Sequence, residues 1–119
     1  MQKESHTVMK SVKDTKESET VELKASLAEL RAGLISVCAI LNKHGAGELW
    51  FGVRNNGTVQ GLTVTDKTLR DLSQAIAVHI EPKIYPNITQ ENITEKTCLK
   101  VSFSGKAGPT CGWPMKTAN

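Results

Sequence analysis

Residues Leu30 to Gly61, LRAGLISVCAILNKHGAGELWFGVRNNGTVQG, leave the chain few choices of fold. Two apolar runs follow one another with only a glycine turn between them, and an Asn-Gly turn comes next. Leu27, Leu30, Leu34, Val37, Cys38 and Leu41 recur at helical spacing. Ile35, Ala39 and Ile40 widen the stripe, which predicts a helix buried on much of its circumference. Cys38 lies on that apolar face and reads as a small core residue. Gly45 suits a left-handed cap, and Lys43 and His44 suit the negative end of the helix dipole. Glu48 to Val53, ELWFGV, is apolar on both faces and predicts a central strand. Gly52 within it marks a place where another backbone or a ligand comes close. Arg54-Asn55-Asn56-Gly57 then predicts a tight hairpin, with Thr58 to Val64 as the returning strand.

The flanks fit around this centre. ETVELK, residues 19 to 24, alternates and predicts a short half-buried strand. Ser26 and Glu29 have capping-box spacing ahead of the first helix. Asp66 is placed to cap a second helix, whose stripe is Leu69, Leu72, Ile76 and Ile80, and Pro82 ends it. His79 lies beside that stripe and reads as a packed or partly exposed side chain. Lys83 to Thr94 carries Ile84, Tyr85, Ile88 and Ile93, and Pro86 makes it an edge strand. Cys98 to Phe103 alternates as the last strand. The expected fold class is therefore α+β: a small mixed sheet with two main helices, in the order β-α-β-β-α-β-β. Residues 1–16 read as a disordered arm, 17–105 as the domain and 106–119 as an irregular tail.

Composition narrows the classes of function. With 119 residues, 39% hydrophobic and 23% charged, the chain fits one domain with a modest core. The net charge of +3 and a pI near 8.8 are mildly basic. No apolar run is long enough to span a bilayer, and the start lacks a signal-peptide core, so a cytoplasmic location without membrane contact is expected. Cys38, Cys98 and Cys111 lack metal-site spacing, so no metal is expected. Asn87-Ile88-Thr89 and Asn92-Ile93-Thr94 match the glycosylation sequon by chance if nothing is secreted.

Three groups of residues carry candidate chemistry. Glu22-Leu23-Lys24 sets a carboxylate and an ammonium on one strand face. With Glu17 or Glu19 as a further acid, such a group can hold a divalent metal and polarise a phosphodiester, though a solvated strand gives the same pattern. The turn His44-Gly45-Ala46-Gly47 can present N–H groups to an anion or simply connect helix to strand. Arg31, Lys43, His44, Arg54, Asn55 and Asn56 form a basic and polar set suited to phosphates. Its two turns lie at opposite ends of the central strand.

The series Glu17…Val21-Glu22-Leu23-Lys24, Val37 to Asn42, His44-Gly45-Ala46-Gly47-Glu48-Leu49, Phe51-Gly52-Val53 and Asn56 to Gly61 resembles the Schlafen-type AlbA domain. Leu69 to Ile76 and His79 to Pro86 are similar to its bacterial members, and the likeness covers about residues 17 to 105. The resemblance implies a compact mixed α/β domain, found in bacteria as a DNA-binding or transcriptional-regulator module. In animal Schlafen proteins a related domain cleaves RNA, and its carboxylates match Glu17 and Glu22. Its third acid falls where this chain has Asn55, and an amide is the poorer metal ligand. Ala46 replaces a glycine often found in the turn, and the tail from Lys106 departs from the family pattern.

Three expectations follow. The first is a non-catalytic nucleic-acid-binding module, DNA rather than RNA, that contacts phosphates through Arg31, Lys43, His44, Arg54, Asn55 and Asn56 and needs no cofactor. The second is an endoribonuclease using Glu17, Glu22 and Lys24 with Mg²⁺ or Mn²⁺. The third is an interaction module that forms a homo-oligomer through an exposed sheet edge.

Overall fold

The computed structural model describes residues 17–81, 83–105 and 110–111. The expected arm at 1–16 and most of the expected tail lie outside the described residues. Within them the order is β1 (Val21–Lys24), a 3₁₀ turn (Leu27–Glu29), α1 (Leu30–His44), β2 (Ala46–Phe51), α2 (Asp66–His79), β3 (Ile80–Glu81), β4 (Asn87–Ile93), β5 (Lys96–Ser104) and β6 (Thr110–Cys111). The main sheet has the order β1-β2-β5-β4, and β3 and β6 form a second small sheet. The expected α+β class with two main helices is what the chain adopts.

β1 and β2 are parallel, with Leu23 beside Trp50 and Lys24 beside Phe51. A parallel pair needs a crossover, and α1 supplies it. β5 joins the other side of β2 antiparallel, and β4 pairs with β5 along its whole length. The β4–β5 turn is Thr94-Glu95, both at positive φ (48° and 69°), as a two-residue hairpin requires.

Alternation along β2 divides the interior in two. Leu49 and Phe51 face the helices and join Leu34, Val37, Leu41, Leu72, Ile76, Leu99 and Val101. Trp50 faces the other way and joins Leu23, Val53, Val59, Ile93 and Cys98. α1 runs back over β2 closely enough that a Cβ on Gly47 would stand 2.7 Å from Ile40 Cγ2. Cys38 is buried and also disulfide-bonded, which its place on an apolar face did not announce.

Several local expectations are corrected. Thr58 to Val64 is not a strand, since only the Val53–Val59 bridge forms. Gly52 at φ +101° turns the backbone away, and its carbonyl accepts from both Gln60 and Gly61 N–H groups. The expected close approach at Gly52 is real: a Cβ there would stand 3.1 Å from Leu62 Cγ and 3.4 Å from the Cys98 backbone Cα. Ser26 caps only the 3₁₀ turn, and Glu29 makes no capping bond to α1. Thr65, not Asp66, caps α2, in a reciprocal box with Thr68. Gly45 does close α1 in the left-handed region, at φ +83°. Tyr85 lies outside any strand and is 88% exposed. Among the described residues no helix is long and apolar enough to cross a membrane.

Two outcomes test this packing. Phe51→Ala removes a fully buried ring and is expected to cost about 3–5 kcal/mol in denaturant unfolding. Burial pushes the Cys98 thiol above the ordinary 9.0, and the Glu91 carboxylate adds to the shift. The unfolded thiol therefore ionises first, so Cys98 contributes stability below its unfolded pKa that is lost as pH rises past it. Iodoacetamide at pH 9 is expected to label Cys98 only as fast as the protein unfolds.

Candidate nucleic-acid interface

β1 places the first group of candidate residues. Its outward-facing backbone groups belong to Val21 and Leu23, because Thr20 and Lys24 bond across to the segment holding β2. Residues 17 and 18 double back along that free edge. Ser18 N–H donates to Val21 O at 2.9 Å, and Leu23 N–H donates to Glu17 Oε2 at 3.3 Å. Glu17 therefore closes a strand edge. Glu22 and Lys24 share the helix-side face and bond each other, Lys24 Nζ to Glu22 Oε2 at 3.1 Å, with side chains 23% and 16% exposed. No group of three or more His, Cys, Asp or Glu among the described residues is placed to hold a metal ion.

The turn after β2 is fastened to the end of β1. Gly52 and Val53 N–H groups both donate to Lys24 O. Gln60 acts as a brace: its Nε2 donates to Ala25 O at 3.1 Å, and its Oε1 accepts from Arg54 Nε at 3.1 Å. Asn56 Oδ1 accepts from Thr58 N–H at 2.9 Å, which fixes the turn as an Asx turn. Arg54, Asn55 and Asn56 are all exposed. Nothing in the sequence gives Gln60 a role of its own, because its partner Ala25 O lies 35 residues away and meets it only once the chain folds back.

The basic set divides between two poles. Arg31, in the first turn of α1, lies at the pole where β1 ends, with Arg54, Asn55 and Asn56. Lys43 and His44 lie at the far end of α1, about 20 Å away for a helix of 15 residues. His44 Nε2 stands 3.4 Å from Glu19 Oε1 there. Charge is divided too. Of 15 Lys and Arg, six (Lys3, Lys10, Lys13, Lys16, Lys106, Lys116) lie in segments 1–16 and 106–119, with only Glu4 and Asp14 against them. The nine cations of residues 17–105 face ten carboxylates, so this stretch contributes no positive surplus.

A second polar cluster, on the sheet face away from the helices, was not visible in sequence. Trp50 Nε1 donates to Glu48 Oε1 at 2.9 Å, and Lys100 Nζ stands 5.6 Å from the Trp50 ring centroid. Trp50 and Lys100 meet only because β2 and β5 pair in this register. Their spacing along the chain carries no sign of it.

Residues 17–111 match the family described as Schlafen, AlbA_2. Among solved structures, one similar fold is the N-terminal domain of a protein from Nitrosomonas europaea named as related to the ATP-dependent DNA helicase RecG. It is 24% identical at a TM-score of 0.61, covering 86% of this chain and 72% of that one. Another is the DIP2311 protein of Corynebacterium diphtheriae, 15% identical at a TM-score of 0.61, covering 87% of this chain but 22% of that one. Both likenesses concern the fold. No curated protein matches the chain.

The Glu22–Lys24 pair gives a direct check on the geometry. Lys24→Met leaves a largely buried carboxylate without its cation and is expected to cost about 1–3 kcal/mol. Adding Glu22→Gln is expected to recover part of that loss, read as a double-mutant cycle in urea.

Proposed function

Since the chain belongs to the Schlafen AlbA_2 family, we propose that it is a nucleic-acid-binding module that holds phosphates without cleaving them. The observation that carries this reading is the braced turn at the end of β2. There Gln60 holds Arg54, and Asn55 and Asn56 stand exposed beside it. Guanidinium and amide groups are phosphate donors. Asn55 carries an amide where the resemblance to animal Schlafen proteins implies a metal-binding acid, and an amide is the poorer ligand. Glu17 and Glu22 are engaged with the backbone of β1 and with Lys24. The name of the Nitrosomonas europaea protein, related to a DNA helicase, fits the same class. DNA as the preferred polymer, and a place in a cytoplasmic transcriptional regulator, are the finer parts of this proposal.

The charge division locates the strength of binding. Residues 17–105 are near neutrality, so Arg31 and the Arg54 turn orient the contact. Lys3, Lys10, Lys13 and Lys16, with the lysines at 106 and 116, supply most of the charge. Such binding releases counterions, so its logarithm falls linearly with the logarithm of salt concentration.

The test is a titration of the full chain with a DNA duplex between 50 and 200 mM salt, concentrations over which phosphate binding changes steeply. Arg54→Ala is expected to reduce the salt slope by about 1. Replacing Lys3, Lys10, Lys13 and Lys16 together by Gln is expected to reduce it by about 3–4. Absent binding at low salt, or binding indifferent to salt, overturns the proposal. Cleavage of structured RNA with Mn²⁺, abolished by Glu22→Gln, would replace it with the nuclease.

A further inference from the structure

The main sheet has two outer edges, and the chain treats them differently. The β1 edge is sealed by Ser18 N–H and the Glu17 carboxylate. At the β4 edge no such seal exists among the described residues. The two-residue Thr94-Glu95 turn makes Ile93 and Lys96 a bonded pair, so Glu91, Thr89 and Asn87 turn their backbone groups toward β5. Ile88, Gln90 and Asn92 therefore turn theirs outward. Strands usually protect such an edge with a proline, a lysine or a bulge. β4 contains none of these, and its pairing with β5 is continuous over seven residues.

We propose that the outer edge of β4 is where a second copy of this chain docks, strand against strand and antiparallel about Gln90. The strand is complementary to itself in that register. Gln90 faces Gln90 of the second copy, and Ile88 faces its Asn92. Each of these pairs has its backbone groups turned toward the other copy, as a bonded antiparallel pair requires. Glu91 faces Thr89 of the second copy, so no carboxylate opposes another. Tyr85 lies just before the strand and is 88% exposed. It comes alongside the Thr94-Glu95 turn of the second copy, and tyrosine is a frequent anchor at interfaces. The result is one continuous sheet of twice four strands, with the helices of both copies on the same face.

The register makes the proposal testable at one residue. Gln90 N–H points away from its own sheet, so Gln90→Pro keeps the β4–β5 bonds and blocks the docking edge. Sedimentation equilibrium of the full chain without nucleic acid is expected to show a dimer, weakened about tenfold or more by Gln90→Pro with an unchanged circular dichroism spectrum. Gln90→Lys and Gln90→Glu are each expected to be monomeric, and an equal mixture of the two is expected to pair again. A wild-type monomer at the highest soluble concentration overturns the proposal. So does a dimer that all three variants leave intact. Because nucleic acid is absent, neither result bears on phosphate binding.

Discussion

Adjacent residues of a strand point to opposite faces of its sheet, and β2 is apolar at both. Trp50 and Phe51 must therefore be buried on opposite sides, and the rest of the structure answers that requirement. α1 and α2 cover Phe51 and Leu49. The folded-back turn, through Val53 and Val59, covers the side of Trp50 together with Leu23, Ile93 and Cys98. A strand so enclosed also needs neighbours on both edges, which β1 and β5 provide. The braced turn is thus a structural necessity first. It covers part of the second core, and in doing so it carries Arg54, Asn55 and Asn56 to the surface.

The legible parts of the fold were those governed by local periodicity. The core positions Leu34, Val37, Cys38, Ile40 and Leu41 of α1, the left-handed cap at Gly45, the stripe of α2 and the alternation of β5 all came from spacings of a few residues. Ile35 and Ala39, expected to widen the buried face of α1, are instead exposed. The errors lie where distant groups competed with local ones. Asn56-Gly57 makes a turn, as its chemistry demands, but the strand beyond it does not form. The Gly52 carbonyl and the Ala25 carbonyl draw residues 60 and 61 off the strand path. Thr65 displaced Asp66 as the cap because the Thr68 hydroxyl could answer it. Tyr85 entered an expected strand by composition, but the β4–β5 pairing begins only at Asn87.

The candidate site was legible in identity but not in arrangement. Glu22 and Lys24 share a face by simple alternation, and they do pair. That Glu17 would close the edge of β1 depends on the chain doubling back, which no spacing of acids encodes. The separation of Arg31 and Arg54 from Lys43 and His44 follows from helix length. Gln60 and the Trp50–Lys100 contact were out of reach, because both depend on which strands lie side by side.

The partners of β2 arrive at very different times. β1 precedes it, but Phe51 pairs with Leu99, far later in the chain. At about 5–20 residues per second of synthesis, roughly 2–10 seconds pass between them. Through that interval the most apolar strand of the protein has one edge open and its helix-side cover incomplete. The β1–α1–β2 unit is thus the part most exposed to misassociation during synthesis. β4 and β5 are joined by the two-residue Thr94-Glu95 turn and pair with each other along seven residues, so the partner that β2 awaits is one local hairpin.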